Sequence, residues 1–205
     1  MFDCPAFVAW YIGATQSGKT TAAIEHARRL RAIHRRPILS LDLAQGAKQF
    51  SGEYHERSAR DVVDALWYSG DDTIWTPRNE DELEGVIRVV DDARGIILLV
   101  DEASYCLGRR GSSPAMLELL RTHAHKSVHV LLTTQHATGD IPAEAFSCSP
   151  YVYCFRNSGP LPLKMLSTYT GIDIERVPLL APGEHYLIDP MRRVTGPHPP
   201  IQLTA

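Results

Sequence analysis

The most informative segment of the chain reads Gly13-Ala14-Thr15-Gln16-Ser17-Gly18-Lys19-Thr20. It matches the pattern G-x-x-x-x-G-K-[S/T] at every position, a spacing that lets a loop wrap an anion with its own backbone N–H groups. The two glycines of the pattern, Gly13 and Gly18, allow backbone conformations that a Cβ would obstruct. Lys19 would reach the β- and γ-phosphates of a nucleotide, and Thr20 would place its hydroxyl on Mg²⁺. We therefore predict a nucleotide-binding site that includes the whole loop and the next residue, Thr21.

The sequence around this loop alternates short apolar runs with helical stretches, which is typical of an α/β fold. An apolar run that leads into the loop, and a helical pattern that follows it, give the strand–loop–helix context that a phosphate loop requires. We expect a mostly parallel central sheet flanked by helices. Strands are predicted at 7–12, 37–43, 73–75, 95–101, 128–134, 151–155 and 184–189, and helices at 18–35, 59–68, 79–94, 113–125 and 163–170.

Length and composition are those of one globular domain. The 205 residues carry a net charge of −3 and no apolar run of the roughly 18 residues that would span a bilayer. We expect a single domain over 1–205, with an extended proline-rich tail at 197–205, and an intracellular location. The four cysteines form no metal-binding spacing, so we expect them to be small buried side chains.

Two acidic residues follow the most apolar run of the chain, in the sequence Ile96-Ile97-Leu98-Leu99-Val100-Asp101-Glu102. An aspartate at the end of such a strand holds Mg²⁺ in phosphate-loop ATPases, and an adjacent glutamate can act as the general base for the attacking water. We assign Asp101 to the metal and Glu102 to the water. A phosphotransferase must keep water from the γ-phosphate, so this pair favours hydrolysis over transfer.

A second apolar run, Val128 to Thr134, also ends in polar residues. Ligands of open α/β sheets lie beyond the carboxyl ends of the strands, so Gln135 is predicted to lie near the γ-phosphate and to sense its presence. The alternative interpretation is that Thr134 and Gln135 only satisfy backbone groups of the following loop.

Three segments together, GATQSGKT, IILLVDEA and VHVLLTTQ, resemble the FtsK–HerA superfamily of DNA-pumping ATPases, in which these motifs occur in this order. The compact length and the continuation TTQHATGDIP…YVYCFRN are similar to the genome-packaging ATPases of tailless icosahedral viruses with an internal membrane. The motifs cover residues 7–20, 96–102 and 121–156. Residues 43–94 match no known pattern.

This resemblance implies a RecA/ASCE-like domain that hydrolyses ATP with Mg²⁺ and translocates double-stranded DNA into a preformed capsid. It further implies a homo-oligomeric ring, commonly a hexamer, located in the host cytoplasm or at a virion vertex and in contact with capsid or membrane-vertex proteins. Family members donate an arginine to the active site of the neighbouring subunit from the helix before the Thr-Gln strand. Arg121 is the arginine on that helix here, and Arg156 is the second candidate.

The basic pair Arg109-Arg110 follows the acidic pair within a glycine- and serine-rich segment. A loop at this position could contact DNA phosphates without reading bases, and the alternative is a solvated surface turn. Two other functions stay open from the sequence. One is an assembly or export ATPase of the filamentous-phage type, which would be expected to have a transmembrane segment, and the other is a small-molecule phosphotransferase.

Overall fold

A computed structural model describes residues 5–43, 53–55, 58–70, 72–108, 111–135, 141–148 and 151–202. The strands are β1 (Val8–Ile12), β2 (Ile38–Asp42), β3 (Glu53–His55), β4 (Thr73–Trp75), β5 (Ile97–Asp101), β6 (Gly111–Ser112), β7 (His129–Thr134), β8 (Tyr151–Phe155), β9 (His185–Ile188) and β10 (Val194–His198). The helices are α1 (Lys19–His34), α2 (Ala59–Asp64), α3 (Glu80–Ala93), α4 (Ser104–Leu107), α5 (Pro114–Lys126), α6 (Ala143–Ser147) and α7 (Pro160–Thr170). A π-helical turn (Ala65–Ser69) continues α2, and a 3-10 turn (Val177–Leu179) precedes β9.

In this described part of the chain, nine strands form one sheet in the order β10-β9-β8-β1-β7-β5-β2-β4-β3. Strands β8 to β3 in this order are all parallel, whereas β9 and β10 run antiparallel at one edge. The predicted α/β fold with a mostly parallel central sheet is therefore confirmed. Strand β7 lies between β1 and β5, so the three predicted motif strands are neighbours.

The central strands are buried on both faces, as their unbroken apolar sequences predict. Alternate residues of β1 divide between two cores: Ala9 and Tyr11 pack on the α1 side, and Trp10 and Ile12 on the other side. On that second side α3 packs against α5, and α5 contacts β7. The parallel strands therefore present their carboxyl ends together at one edge of a rigid, covered sheet.

Side-chain caps begin α3 and α5, at the starts of two helices that the sequence predicts. The Asn79 side chain accepts a hydrogen bond of 2.9 Å from the Glu82 backbone N–H at the start of α3. Ser113 does the same for Met116 at the start of α5, followed by a proline at the first helical position. None of the described helices has both the length and the apolar character needed to cross a bilayer.

The structure differs from the sequence-based expectation mainly beyond β8. The predicted tail 197–205 begins inside β10, since Pro197 and His198 belong to that strand, and residues 203–205 lie outside the described residues. Proline is tolerated there because β10 is an edge strand, which needs fewer backbone donors. Ile201 then packs against the core beneath α1. Strand β3 and helix α6 had no signal in the sequence, because both are short and take their form from their neighbours.

Candidate functional site

The phosphate loop follows β1 and is hydrogen-bonded to the ends of the two strands beside it, β7 and β8. It leaves β1 after Ile12, and α1 begins at Lys19. The Gly13 N–H donates to the carbonyl of Thr134 at the end of β7 (3.2 Å), and the Ala14 N–H donates to the carbonyl of Arg156 just after β8 (2.9 Å). Hydrogen bonds to the strands on both sides thus hold the base of the loop in place.

At both glycines of the pattern, an added Cβ would clash with neighbouring atoms. A Cβ at Gly13 would lie 2.5 Å from Ser17 Oγ and 2.7 Å from the Phe155 Cβ. Gly18 has a φ of 94° and its backbone touches Gly183, whose Cα would lie 2.8 Å from an added Cβ. The cradle therefore has the shape that a phosphate group fits, with Thr15, Gln16 and Thr21 exposed around it.

Lys19 is the buried cation of this loop, with only 6% of its surface exposed. Burial lowers the pKa of its ammonium group, and the nearby carboxylates of Glu102 and Asp101 act in the opposite direction. An ammonium in so desolvated a position is stabilised by an anion. The environment of Lys19 thus fits a nucleotide phosphate, as the sequence predicts.

Thr20 and Asp101 come together as the predicted metal ligands. The Thr20 hydroxyl donates to Asp101 Oδ1 at 3.2 Å, and Thr133 donates to the same oxygen at 2.7 Å. A hydroxyl beside a carboxylate is a hard oxygen donor set of the kind that Mg²⁺ prefers, with the remaining ligands supplied by phosphate and water. Among the described residues no cluster of three or more His, Cys, Asp or Glu side chains could hold a metal by itself.

Glu102 lies one residue beyond β5 and is 6% exposed. Its φ of 57° turns the chain sharply, and its N–H donates to Thr133 Oγ1 at 3.0 Å. Its carboxylate accepts hydrogen bonds from the hydroxyls of Ser104 (2.7 Å) and Thr134 (2.8 Å) and from the backbone N–H of Gln135. The acid assigned to the water is therefore held beside the phosphate loop by the end of β7.

Gln135 links the two halves of the site. Its side-chain oxygen accepts a hydrogen bond of 2.7 Å from the hydroxyl of Thr15 in the phosphate loop, 120 residues away in sequence. Its backbone N–H contacts Glu102 at the same time. This position, between the phosphate loop and Glu102, is compatible with the predicted sensing of the γ-phosphate.

Arg121 lies apart from these residues. In the described part of the chain its guanidinium bonds to Glu144 of α6 and to Glu118 of α5, on an exposed surface. Among the described residues, the structure shows no hydrogen bond between Arg121 and the phosphate loop. The backbone of Arg156, by contrast, touches the phosphate loop of the same chain.

The predicted DNA-contacting pair, Arg109 and Arg110, lies outside the described residues. The flanking residues Leu107 and Ser112 form an antiparallel bridge, and the Ser113 N–H donates to Cys106 at 2.8 Å. The two ends of this segment therefore meet directly after the acidic pair.

Several site residues had no assigned role from the sequence. Thr133 and Ser104 hold the two acids, and their only signal was their closeness to the acidic pair or to the end of a strand. Gly183 had none, because the segment 181–184 reads as an ordinary turn, yet its N–H donates to the Ser17 carbonyl at 2.9 Å.

Comparison with known proteins supports the fold. No known family profile matches the chain, and no curated protein is significantly similar to it in sequence. Among solved structures, the genome-packaging NTPase B204 from Sulfolobus turreted icosahedral virus 2, in complex with ATPγS, aligns with a TM-score of 0.78 at 19% identity, over 96% of this chain and 99% of that one.

The DNA-packaging ATPase B204 from Sulfolobus turreted icosahedral virus aligns with a TM-score of 0.75 at 21% identity, over 97% of this chain and 99% of that one. The pCW3 conjugation coupling protein TcpA, with ATPγS, gives a TM-score of 0.62 at 13% identity, over 89% of this chain and 57% of that one. The resemblance predicted from the three motifs is thus confirmed at the level of fold. This chain has the P-loop NTPase fold that these packaging and coupling proteins share.

Proposed function

We propose that this protein is an ATPase that binds Mg–ATP at the loop Gly13–Thr20 and hydrolyses it. The observation that carries this proposal is the convergence of three groups at one sheet edge: the buried Lys19, the Thr20–Asp101 oxygen pair and the fixed carboxylate of Glu102. Each group suits a different part of the reaction. Structural neighbours bound to ATP analogues support the choice of nucleotide.

Each residue of the site has a separate role in the proposed reaction. Lys19 and the loop N–H groups hold the β- and γ-phosphates, and Thr20 and Asp101 hold the metal. When bound, Mg²⁺ neutralises the charge that builds up on the phosphate oxygens. Glu102 orients a water and accepts its proton as the water attacks the γ-phosphorus. Gln135 completes the site by contacting the γ-phosphate with its side-chain amide.

We further propose that hydrolysis drives translocation of double-stranded DNA, and specifically the packaging of a viral genome into a preformed capsid by a homo-oligomeric ring. Support comes from the structural neighbours, which are genome-packaging ATPases of two icosahedral viruses and a conjugation coupling protein. The basic pair Arg109-Arg110 follows the acidic pair closely, so a DNA contact there would be coupled to the nucleotide site.

The test measures the rate of ATP hydrolysis with and without double-stranded DNA. We expect Mg²⁺-dependent hydrolysis that DNA stimulates, and a loss of about 10²-fold in kcat for Glu102→Gln, roughly the contribution of a general base. Glu102→Gln should still bind ATP in a titration, because Lys19 and the loop are intact.

Lys19→Ala should lose ATP binding, since it removes the charge that faces the phosphates.

Two results would contradict the proposal in different ways. Wild-type turnover by Glu102→Gln would move the water role to another residue. A hydrolysis rate that is indifferent to DNA of any length, in protein that is fully active otherwise, would leave an ATPase but not a DNA motor.

A further inference from the structure

The two carboxylate oxygens of Glu102 have unequal surroundings. Oε1 accepts from the Ser104 hydroxyl at 2.7 Å, from the Thr134 hydroxyl at 2.8 Å and from the Gln135 N–H at 3.3 Å. Oε2 accepts only from the Gln135 N–H, at 3.1 Å, within the described part of the chain. An oxygen with three donors has no lone pair left for a proton, whereas one with a single donor does.

A general base at this position needs external support. A glutamate has three side-chain torsions, and Glu102 follows the last residue of β5 in a left-handed turn, with a φ of 57°. A displacement of about 1 Å in a reacting group can cost on the order of 10²-fold in rate. Catalytic groups are therefore held by neighbours whose own positions are fixed. Thr134 is fixed in this sense, because it is the fully buried last residue of the central strand β7.

We propose that Ser104 and Thr134 are positioning residues for Glu102. Their hydroxyls occupy Oε1 and so leave Oε2 as the oxygen that accepts the proton from the attacking water. This inference rests on the proposed ATPase function and goes beyond it, since it assigns the reacting atom and the side chains that select it.

The neighbouring hydroxyl of Thr133 serves the other acid. It donates to Asp101 Oδ1 at 2.7 Å and accepts from the Glu102 N–H. Successive residues of a strand point to opposite faces, so two adjacent threonines of β7 reach two adjacent acids, Asp101 at the end of β5 and Glu102 directly after it. Loss of the Thr133 hydroxyl should therefore change the Mg²⁺ dependence, and loss of the Thr134 hydroxyl should change the chemical step.

The first experiment compares Thr134→Val, which keeps the shape and removes the hydroxyl, with Thr134→Ser, which keeps the hydroxyl. For Thr134→Val we expect kcat to fall by roughly 10- to 100-fold with the KM for ATP unchanged. Thr134→Ser should recover most of that loss, and Ser104→Ala should resemble Thr134→Val. The control is Thr168→Val, because the Thr168 hydroxyl is exposed and, among the described residues, bonds only to the Lys164 carbonyl of its own helix.

The second experiment needs no nucleotide. Urea unfolding of the nucleotide-free protein is measured for Thr134→Val, for Glu102→Ala and for the double variant. If the two side chains are bonded, the double variant should lose less stability than the sum of the single losses, because the bond can be lost only once. Additive losses would show that the contact does not exist and would overturn the proposal.

The outcomes separate this inference from the function on which it rests. If wild-type protein hydrolyses ATP and Thr134→Val keeps its kcat, or gains in kcat, the positioning role is wrong and the ATPase assignment stands. If wild-type protein does not hydrolyse ATP, while the unfolding experiment still shows coupling, the proposed function is wrong and the reacting-atom assignment falls with it.

Discussion

A buried histidine in the central sheet shows how one residue can lower the free energy of unfolding at acidic pH. His129 begins β7, is fully buried and packs edge-on against Phe7. Within the described residues its two ring nitrogens have no hydrogen-bond partner. Burial, together with unfavourable electrostatic interactions with His34 and Arg36, lowers the pKa of His129 to about 4. The imidazole is therefore neutral in the folded protein at pH 5, whereas in the unfolded chain its ordinary pKa is about 6.5.

We predict that His129→Leu reduces the acid sensitivity of the fold. In the unfolded chain the imidazole of His129 becomes protonated below about pH 6.5, whereas in the folded protein it stays neutral down to about pH 4. Lowering the pH between these two values therefore favours unfolding. The slope is at most about 1.4 kcal/mol per pH unit for one histidine. Urea unfolding at pH 7 and pH 5 should show a smaller loss of stability for the variant than for wild type. Equal losses would mean that His129 is solvated or paired in solution. Buried His26, with a pKa of about 3, should contribute the same pH dependence of the free energy of unfolding to wild type and variant.

At the scale of elements, the segment after α7 supports the phosphate loop from outside. Gly183 bonds to the Ser17 carbonyl and fills the space that a side chain at Gly18 would need. Pro200 lies directly behind Gly183, and the Arg29 guanidinium of α1 donates to the carbonyl of Gln202 at 3.1 Å. The turn before β9 and the segment after β10 therefore pack around the phosphate loop and α1.

We predict that Gly183→Ala weakens ATP binding by about 10-fold, a loss of roughly 1.4 kcal/mol. A Cβ at Gly183 would lie 2.8 Å from the Pro200 Cβ, and relief of this clash moves the turn away from the loop. The matched control is Gly171→Ala, since Gly171 has a similar positive φ but nothing within 4 Å of the added Cβ. Both variants share the strain of a positive φ, so the clash with Pro200 and the contact with the phosphate loop distinguish Gly183→Ala from the control. Equal ATP affinities for the two variants would assign the Gly183 turn to stability alone.

At the scale of the whole molecule, the position of Arg121 bears on assembly. Its bonds to Glu144 and Glu118 hold it on an exposed surface, and in the proposed ring it would act on the site of a neighbouring subunit. An arginine supplied in this way contributes about 10³- to 10⁵-fold in rate in well-studied P-loop enzymes. If the proposed ring forms, hydrolysis should therefore depend on protein concentration.

Mixing two inactive variants tests this directly. Arg121→Ala and Glu102→Gln should each be nearly inactive alone, but a mixed ring contains interfaces at which an intact Glu102 faces an intact Arg121. We expect partial recovery of ATPase activity on mixing. Mixed rings verified by cross-linking that stay inactive would show that Arg121 is not the donor, and Arg156→Ala should then be tested in the same way.

The sequence alone predicted the parts of the protein that depend on local pattern. The phosphate loop, the two acids and the strands that carry them were all predicted because each is a continuous segment whose residue types and spacing are required by its own geometry. The caps Asn79 and Ser113 were predictable for the same reason, since a capping side chain bonds within its own helical turn.

Only the tertiary structure decided which distant side chains meet these segments. Thr134 lies 32 residues from Glu102 in sequence and Thr15 lies 120 residues from Gln135, and both contacts arise because parallel strands end at the same edge of the sheet. The support of the phosphate loop by Gly183 depends on how β9 and β10 close that sheet, and a glycine in a turn has no pattern that reveals its partner. Composition and periodicity describe what a segment can do, whereas the order of strands decides which segments act together.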